Sequence, residues 1–165
     1  MERLATLKDL PAVMDIVRQT IAGLLAIGDA QWGEVYPTEA DFRADIENGE
    51  LHVWEENGRV AALVCLNQQQ SSEYDDLPYT PCERYLVIHR MAVLPAARGR
   101  GLGRALFALA QSEAKRLGLC QLRTDTHETN GPMNALMQSC GFTPVGYLRF
   151  PSRDGRFIAY QKMTV

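Results

Sequence analysis

The feature that most limits what this chain can fold into lies near its middle, where an apolar strand pattern leads into a loop rich in glycine and arginine. The stretch consists of Met91, Ala92, Val93, Leu94, Pro95, Ala96, Ala97, Arg98, Gly99, Arg100, Gly101, Leu102, Gly103 and Arg104. The first N–H groups of a helix have no partner within it, and the helix dipole adds partial positive charge there. Glycines let the backbone approach a ligand closely. The pattern predicts a strand–loop–helix unit whose loop binds a phosphate group.

The glycine spacing restricts which phosphate ligand the loop could hold. The dinucleotide pattern G-x-G-x-x-G fails, because Gly99 and Gly101 are followed by Arg104 where a third glycine is needed. The G-x-x-x-x-G-K-[ST] loop of nucleotide triphosphatases is also absent from the sequence. The spacing does fit R-x-x-G-x-G, with Arg98, Gly101 and Gly103 at the three fixed positions.

Apolar spacing, capping residues and turn residues divide the chain into helices and strands. We predict helices over residues 9–28, 38–49, 101–117 and 131–140, and strands over residues 3–6, 51–55, 60–66, 85–94, 119–124, 142–147 and 157–163. The polar run that begins at Asn67 opens a surface loop reaching Cys82, which could act as a lid. The order β-α-α-β-β-β-α-β-α-β-β favours an α/β fold of the mixed α+β type over a doubly wound parallel sheet.

Length and composition favour one globular domain over residues 1–165, since domains hold roughly 100–200 residues. Apolar residues make up 46% and charged residues 22% of the chain, which is ordinary for a globular protein and excludes disorder. No apolar run approaches the ~18 residues of a membrane span. The amino terminus lacks the pattern of a secretory signal. We therefore expect a cytoplasmic protein that does not bind a membrane.

Charge and cysteine spacing each disfavour a class of ligand. The net charge of −3 makes a general nucleic-acid binder a poor fit, because such binding depends on neutralising many phosphates. The four cysteines, Cys65, Cys82, Cys120 and Cys140, lack the close spacing of a zinc or redox site, so no metal is expected. Cys65 and Cys120 lie in apolar runs, and we predict that all four are reduced structural thiols.

Two motifs at a suitable distance give the chain a family resemblance. The first is R-x-x-G-x-G at Arg98, Gly101 and Gly103, and the second is Asn130 followed by a short helix and the Gly-Phe pair at 141–142. With the order of elements, they resemble the GNAT superfamily, the Gcn5-related N-acetyltransferases, over nearly the whole chain. The resemblance implies a mixed, mostly antiparallel sheet of about seven strands. It would be splayed between the fourth and fifth strands, flanked by about four helices, and would hold acetyl-CoA in the split.

The resemblance also implies which residues hold the coenzyme. Pantetheine would pair with the backbone of Met91, Ala92 and Val93, and Asn130 would contact the pantetheine arm. The residues whose backbone N–H groups would bind the pyrophosphate are Arg98, Gly99, Arg100, Gly101, Leu102, Gly103 and Arg104. The arginines among them add positive charge that a diphosphate favours.

Acyl transfer to an amine needs a base, or a chain of waters leading to one, because a lysine-like amine has a pKa near ~10.4. His89 lies on the fourth strand, at the same parity as Met91 and Val93. It resembles a histidine that a serotonin acetyltransferase has on this strand. A structural role within the strand is the alternative.

Other positions bear on proton transfer. Glu83 lies just before the fourth strand, and His127 follows the fifth strand, which Asp125 ends; Glu83 and His127 are therefore further candidate bases or water relays. The family's general acid is a tyrosine four residues before the glycine of the Gly-Phe pair, and Met137 takes that position here. A thioether cannot donate a proton, so this departure leaves open a non-catalytic module that binds and senses acyl-CoA.

The resemblance also implies that the acceptor approaches from the side lined by the first two helices and the loop between them. This loop contains Asp29, Trp32, Glu34 and Tyr36, two aromatics and two carboxylates that suit a cationic amine through cation–π and charge contacts. The alternative is that the two aromatics only anchor the loop on the core. The sequence thus predicts an acetyl-CoA-dependent N-acetyltransferase whose acceptor is a small amine or amino compound. A protein lysine or amino terminus is the other acceptor class, and the chain could form a homodimer.

Overall fold

The computed structural model describes residues 1–164, and within them the chain forms seven strands and four helices. The strands are β1 (Glu2–Leu4), β2 (Leu51–Glu56), β3 (Arg59–Asn67), β4 (Tyr85–Val93), β5 (Gln121–His127), β6 (Thr143–Leu148) and β7 (Phe157–Met163). The helices are α1 (Leu10–Ala26), α2 (Glu39–Glu47), α3 (Leu102–Arg116) and α4 (Gly131–Ser139). The predicted order of elements is confirmed. In the described residues no helix is both long enough and apolar enough to cross a membrane.

The strands form one sheet in the order β1-β2-β3-β4-β5-β7-β6. Every neighbouring pair is antiparallel except β4 and β5, which run parallel because α3 crosses between them. This confirms the predicted mixed, mostly antiparallel sheet. One face of the sheet packs against α1 and α2, and the other packs against α3 and α4.

The central parallel pair separates partway along its length. β4 and β5 pair only from Tyr85 with Gln121 to Val87 with Arg123. Beyond that point β4 runs on to Val93 without pairing to β5 in the described chain, which is the predicted split. Backbone groups that face the split on this part of β4 are therefore open to a ligand.

A bulge in β4 overturns the predicted side-chain parity of His89. On β3, Cys65 pairs with His89 while Leu63 pairs with Ala92, so β4 has one extra residue in this interval. Arg90 takes up the extra length with a φ of 45°. The alternation is interrupted there, so His89 does not share a face with Met91 by simple two-residue spacing.

The fifth strand lies further along the chain than predicted. The apolar run from Leu119 favoured a strand over 119–124, but β5 spans Gln121–His127. Leu119 is buried in the core before the strand begins. The polar residues 124–127 continue the strand because they pair with β7.

Cys82 and Cys120 form a disulfide bond, which corrects the prediction that all four cysteines are reduced thiols. The bond lies where the parallel strands begin, next to the pairing of Tyr85 with Gln121. The topology brings together two residues that are 38 positions apart, and their local sequence spacing gives no sign of it. The other two cysteines are free thiols.

Candidate active site

A cavity of about 980 Å³ opens where β4 and β5 separate. It runs from the loop before α3, past the start of α4, to the loops on the far side of the sheet. Its lining comes from some of the residues in each of the segments 20–27, 31–36, 67–74, 88–93, 98–107, 124–126, 130–137 and 150–153. We call the part beside residues 98–104 the glycine-loop end, and the part beside Tyr36, Tyr74, Asp125 and Arg153 the aromatic end.

The glycine-loop end presents backbone N–H groups to the cavity. Gly101 precedes α3 with a φ of 82°, a left-handed conformation that favours glycine, and no side chain caps the helix. The N–H groups of Leu102, Gly103 and Arg104 therefore have no partner within the helix. A methyl group on Gly101 would meet nothing within 4 Å, whereas one on Gly103 would lie 2.7 Å from Cδ2 of Leu136. Gly101 thus keeps the loop open, and Gly103 lets α3 pack against α4.

The three arginines of this loop have different surroundings. Arg98 and Arg104 line the cavity, and Arg104 donates to the Ser139 hydroxyl at 3.0 Å. Arg100 forms an ion pair with Glu56 at 3.0 Å and is not among the described lining residues. The positive charge facing the cavity at this end therefore comes from Arg98 and Arg104.

Asn130 lies between the split strand and α4. It is buried, and its side-chain oxygen caps α4 by accepting from the Met133 N–H at 3.2 Å. This hydrogen bond fixes the amide so that its N–H₂ group remains as the donor. Met137, on the same helix, is buried in the core and also lines the cavity.

His89 lines the cavity as a neutral ring. Its Nε2 lies 3.0 Å from Oδ1 of Asn67 and 3.0 Å from the Gln69 carbonyl oxygen, so Nε2 has the proton and donates it. Burial and, second, the nearby Arg90 guanidinium lower the pKa of His89 to about 4. The ring is therefore uncharged near pH 7, and its free Nδ1 is only a weak base.

The other two candidate bases lie outside the described cavity lining. Glu83 is exposed in the loop before β4. His127 is buried at the end of β5, where Nδ1 contacts the Thr129 hydroxyl at 2.7 Å and Nε2 contacts the Asp154 carbonyl oxygen at 3.1 Å. Both ring nitrogens of His127 are thus engaged in holding loops together.

The four predicted acceptor residues divide into two pairs. Trp32 and Tyr36 line the cavity, but Asp29 and Glu34 are not among the described residues that do so. Asp29 is fully buried and accepts from the Gln31 N–H at 2.9 Å. Glu34 is exposed. The carboxylates of this loop therefore do not face the place where an acceptor would lie.

A carboxylate from the sheet faces the aromatic end instead. Asp125 on β5 lines the cavity, and its Oδ1 accepts from the Tyr74 hydroxyl at 2.5 Å. Burial raises the pKa of Asp125, while the Tyr74 hydrogen bond and the Arg153 charge act in the opposite direction. The sequence indicates Asp125 only as the end of a strand. It gives no sign that the loop between β3 and β4 brings Tyr74 to this carboxylate.

Two arginines also lie at the aromatic end, and sequence patterns had not indicated either. Arg90 forms a two-fold ion pair with Asp45, at 2.6 and 2.7 Å, and donates to the Tyr36 hydroxyl at 2.9 Å. Arg153, in the loop between β6 and β7, lies over the Tyr36 ring at 4.2 Å from its centroid. Arg90 thus contacts the hydroxyl of Tyr36, and Arg153 contacts its ring.

Comparisons with known proteins agree with this geometry. A GNAT-family acetyltransferase from Streptococcus agalactiae 2603 has a TM-score of 0.86 and 29% identity, with 99% of this chain and 94% of that chain covered. One from Listeria monocytogenes 4b F2365 has a TM-score of 0.76 and 23% identity, covering 99% and 94%. The yncA protein of Salmonella typhimurium, described with its cofactor acetyl-CoA, has a TM-score of 0.74 and 22% identity, covering 100% and 94%. Curated protein sequences gave no match.

A family model gives the most direct assignment. Residues 21–142 match the model described as the acetyltransferase (GNAT) family. The matched range includes the glycine loop, the split between β4 and β5, and Asn130. The chain therefore belongs to the GNAT family of acetyltransferases.

Proposed function

We propose that this protein transfers the acetyl group of acetyl-CoA directly to a primary amine of a small acceptor, in the cytoplasm. The observation that supports this most is that one cavity joins a loop of unpartnered backbone N–H groups to the open edge of a split strand. At the other end, the same cavity has a carboxylate suited to an amine. Both substrates could therefore bind side by side.

The residues present fit the coenzyme. The backbone from Arg98 to Arg104 would hold its diphosphate, helped by two guanidinium groups. The open edge of β4 at Met91, Ala92 and Val93 would pair with pantetheine, and the amide of Asn130 would contact it. When bound, the coenzyme supplies an acetyl thioester. The acetyl-CoA found with yncA of Salmonella typhimurium supports this assignment.

Asp125 is the group best placed to accept the amine proton. An ammonium group must first lose one proton, and burial makes the Asp125 carboxylate more basic than usual. The neutral nitrogen then forms the C–N bond as the C–S bond breaks. The second proton leaves the nitrogen for solvent, and the departing thiolate takes one up. We propose Asp125 for this role in place of His89, whose pKa is lowered to about 4 and which is therefore a weaker base than an ordinary histidine.

The departing thiolate needs little help from the protein. A thiol has a pKa of about 8.5, so it leaves largely as the thiolate with modest assistance. This is compatible with Met137, which lines the cavity but cannot donate a proton. Ser139 does not replace it, since its hydroxyl donates to the Leu136 carbonyl oxygen at 2.8 Å and accepts from Arg104.

Two measurements test the proposed function. Calorimetric titration with acetyl-CoA, with NAD and ATP as controls, should show binding of acetyl-CoA alone. Release of free thiol from acetyl-CoA should then depend on an added amine. Binding without amine-dependent thiol release would instead favour the acyl-CoA-sensing module, and no binding would contradict the proposal.

A further inference from the structure

Two side chains of opposite charge face the aromatic end of the cavity, and neither is needed to hold the coenzyme. Arg153 comes from the loop between β6 and β7, and Asp125 comes from β5. The other charged pair there, Arg90 with Asp45, is neutralised internally at 2.6 Å. The charges left for an acceptor are therefore one positive and one negative.

Aromatic rings fix the position of the Arg153 guanidinium. It lies 4.2 Å from the ring centroid of Tyr36, 4.8 Å from that of Phe150 and 5.6 Å from that of Phe157. Arginine stacks well on such rings, and the rings leave its N–H groups free at the edge of its plane. Because three elements contribute these rings, the guanidinium is held in the cavity wall.

The loop that presents Arg153 is itself fastened to the sheet. The Arg153 N–H donates to the Phe150 carbonyl oxygen at 3.1 Å. The next residue, Asp154, offers its carbonyl oxygen to Nε2 of His127 at 3.1 Å. A methyl group on Gly155 would overlap the His127 ring. The tight packing places Arg153 over the aromatic end.

Arg153 has no anionic partner in the described part of the chain. No carboxylate there lies within 4.0 Å of its guanidinium nitrogens, in contrast to Arg90. The guanidinium is half-buried and lines the cavity. A fork of N–H donors presented in this way matches a carboxylate or a similar planar or tetrahedral anion.

The lining of the cavity also offers hydrogen-bond acceptors. Oδ1 of Asp125 accepts from Tyr74 at 2.5 Å, so its second oxygen remains available. The side-chain oxygen of Gln70, in the same lining, is buried and has no hydrogen-bond partner. Buried acceptors of this kind suit a group with several N–H donors, such as an ammonium.

We infer that the acceptor is a small zwitterion of the amino-acid type. Its anionic group would bind Arg153, and its ammonium group would lie at Asp125, where it loses the proton whose removal the proposed reaction requires. This inference rests on the proposed function and narrows its acceptor class. Within the expected class of a small amine or amino compound, it favours the amino compound over a simple cationic amine.

The experiment compares amines that differ only in the anionic group. Thiol release from acetyl-CoA is measured with the protein amino acids other than cysteine and proline, and with taurine and 2-aminoethylphosphonate. The same assay is run with the primary amides of the amino acids accepted, and with isoamylamine, 2-phenylethylamine and putrescine. We expect at least one free acid to exceed its own amide by about tenfold or more in kcat/KM, the size of one charge-assisted hydrogen bond.

Variants of the loop show whether Arg153 is the source of that preference. Arg153→Gln should lower kcat/KM for the free acid by about tenfold or more and leave that for the amide within about threefold. Arg153→Lys should restore part of the loss, since it keeps the charge without the planar fork. Arg149→Gln, an exposed position of the same loop, is the matched control and should change neither.

The outcomes separate the two proposals. If amides or plain amines are acetylated as fast as free acids, the zwitterion inference is wrong while the proposed function stands; faster amides would favour a peptide amino terminus. Equal losses on all substrates in Arg153→Gln would contradict the assigned role of Arg153. If no amine of either group is acetylated and acetyl-CoA does not bind, the proposed function fails and the inference fails with it.

Discussion

Asp125 is the single residue on which the proposed chemistry most depends, because it is the carboxylate at the aromatic end whose charge no ion pair within the described residues neutralises. Asp125→Asn keeps an oxygen that can accept from Tyr74 but removes the base. We expect kcat to fall by about 100-fold, a usual value for loss of a general base. Initial-rate measurements of thiol release as a function of pH would check this, since the variant should also lose the acid-side fall in rate.

Asp154→Asn is the control for that experiment. Asp154 lies in the nearby loop and is exposed, and its contact with His127 uses the backbone carbonyl oxygen. Its substitution should leave kcat within about threefold, well below a general-base effect. A comparable fall in both variants would mean that local charge, and not proton transfer, explains the effect of Asp125.

His89 makes a distinct prediction about stability at low pH. Its pKa is lowered from 6.5 to about 4 in the folded protein, so between these values the unfolded chain binds a proton that the folded chain does not. Stability that is present above pH 6.5 is therefore lost progressively as the pH falls toward 4. His89→Gln removes this titration. Thermal unfolding at pH 7.5 and pH 4.5 should show a smaller acid-induced loss in the variant than in the wild type.

Equal acid-induced losses in both proteins would show that His89 does not contribute. Other titrating groups are the same in the two proteins, so they affect both curves alike. The charged groups that act on the pKa of His89 are Arg90, Asp45 and Arg153. None of them is altered by the substitution.

At the scale of elements, the loop and the first turn of α3 together form the proposed anion-binding unit. Gly101→Glu places bulk and negative charge where the structure is open, and it should weaken acetyl-CoA binding by at least about tenfold through lost anion contacts. Gly101→Ala is the matched control, because it has the same strained φ of 82° without the charge. Calorimetric titration of the two variants gives both dissociation constants.

If Gly101→Glu binds acetyl-CoA as tightly as Gly101→Ala, the coenzyme does not contact this turn. If both variants lose binding equally, backbone strain and not charge is the cause. The first result would move the phosphate site away from α3, whereas the second would show that binding depends on the conformation of the loop. The expected difference between them isolates the anion contact from the conformation of the loop.

The sequence predicted most elements because their signals are local. Thr38 and Asp41 form a capping box at the start of α2, and the Asn57-Gly58 turn joins β2 to β3. The elements missed or shifted depend on distant contacts. β5 extends to His127 because β7 pairs with it, and the bulge at Arg90 becomes evident only in the pairing of β3 with β4.

At the scale of the whole molecule, the disulfide bond makes a prediction about stability. Cys82 and Cys120 are 38 residues apart, and closing a loop of that length stabilises a fold by about 4 kcal/mol in the chain-entropy model. The double variant Cys82→Ser/Cys120→Ser should lose up to about this much in urea unfolding. Adding a reductant should lower the wild type to the level of the variant and leave the variant unchanged. A wild type that does not respond to reductant and unfolds together with the variant would show that the bond does not form in solution.

The candidate site shows where sequence reasoning stops. Its glycine-loop end has contiguous residues, so spacing alone was enough to indicate it. Its aromatic end combines Tyr36, Tyr74, Asp125 and Arg153, which come from four separate parts of the chain. No local sequence pattern links these four residues. Only the packing of three loops against the sheet brings an arginine and a carboxylate to the same cavity.

His127 connects the two ends of that cavity. Its carbonyl oxygen accepts from the Asn130 N–H at 3.0 Å, and its ring contacts the Asp154 carbonyl oxygen beside Arg153 at 3.1 Å. A ligand at one end that shifts His127 would therefore change the affinity of the other end. Thermodynamic linkage requires the effect to be reciprocal. If bound coenzyme changes the dissociation constant of the acceptor by some factor, bound acceptor changes the dissociation constant of the coenzyme by the same factor.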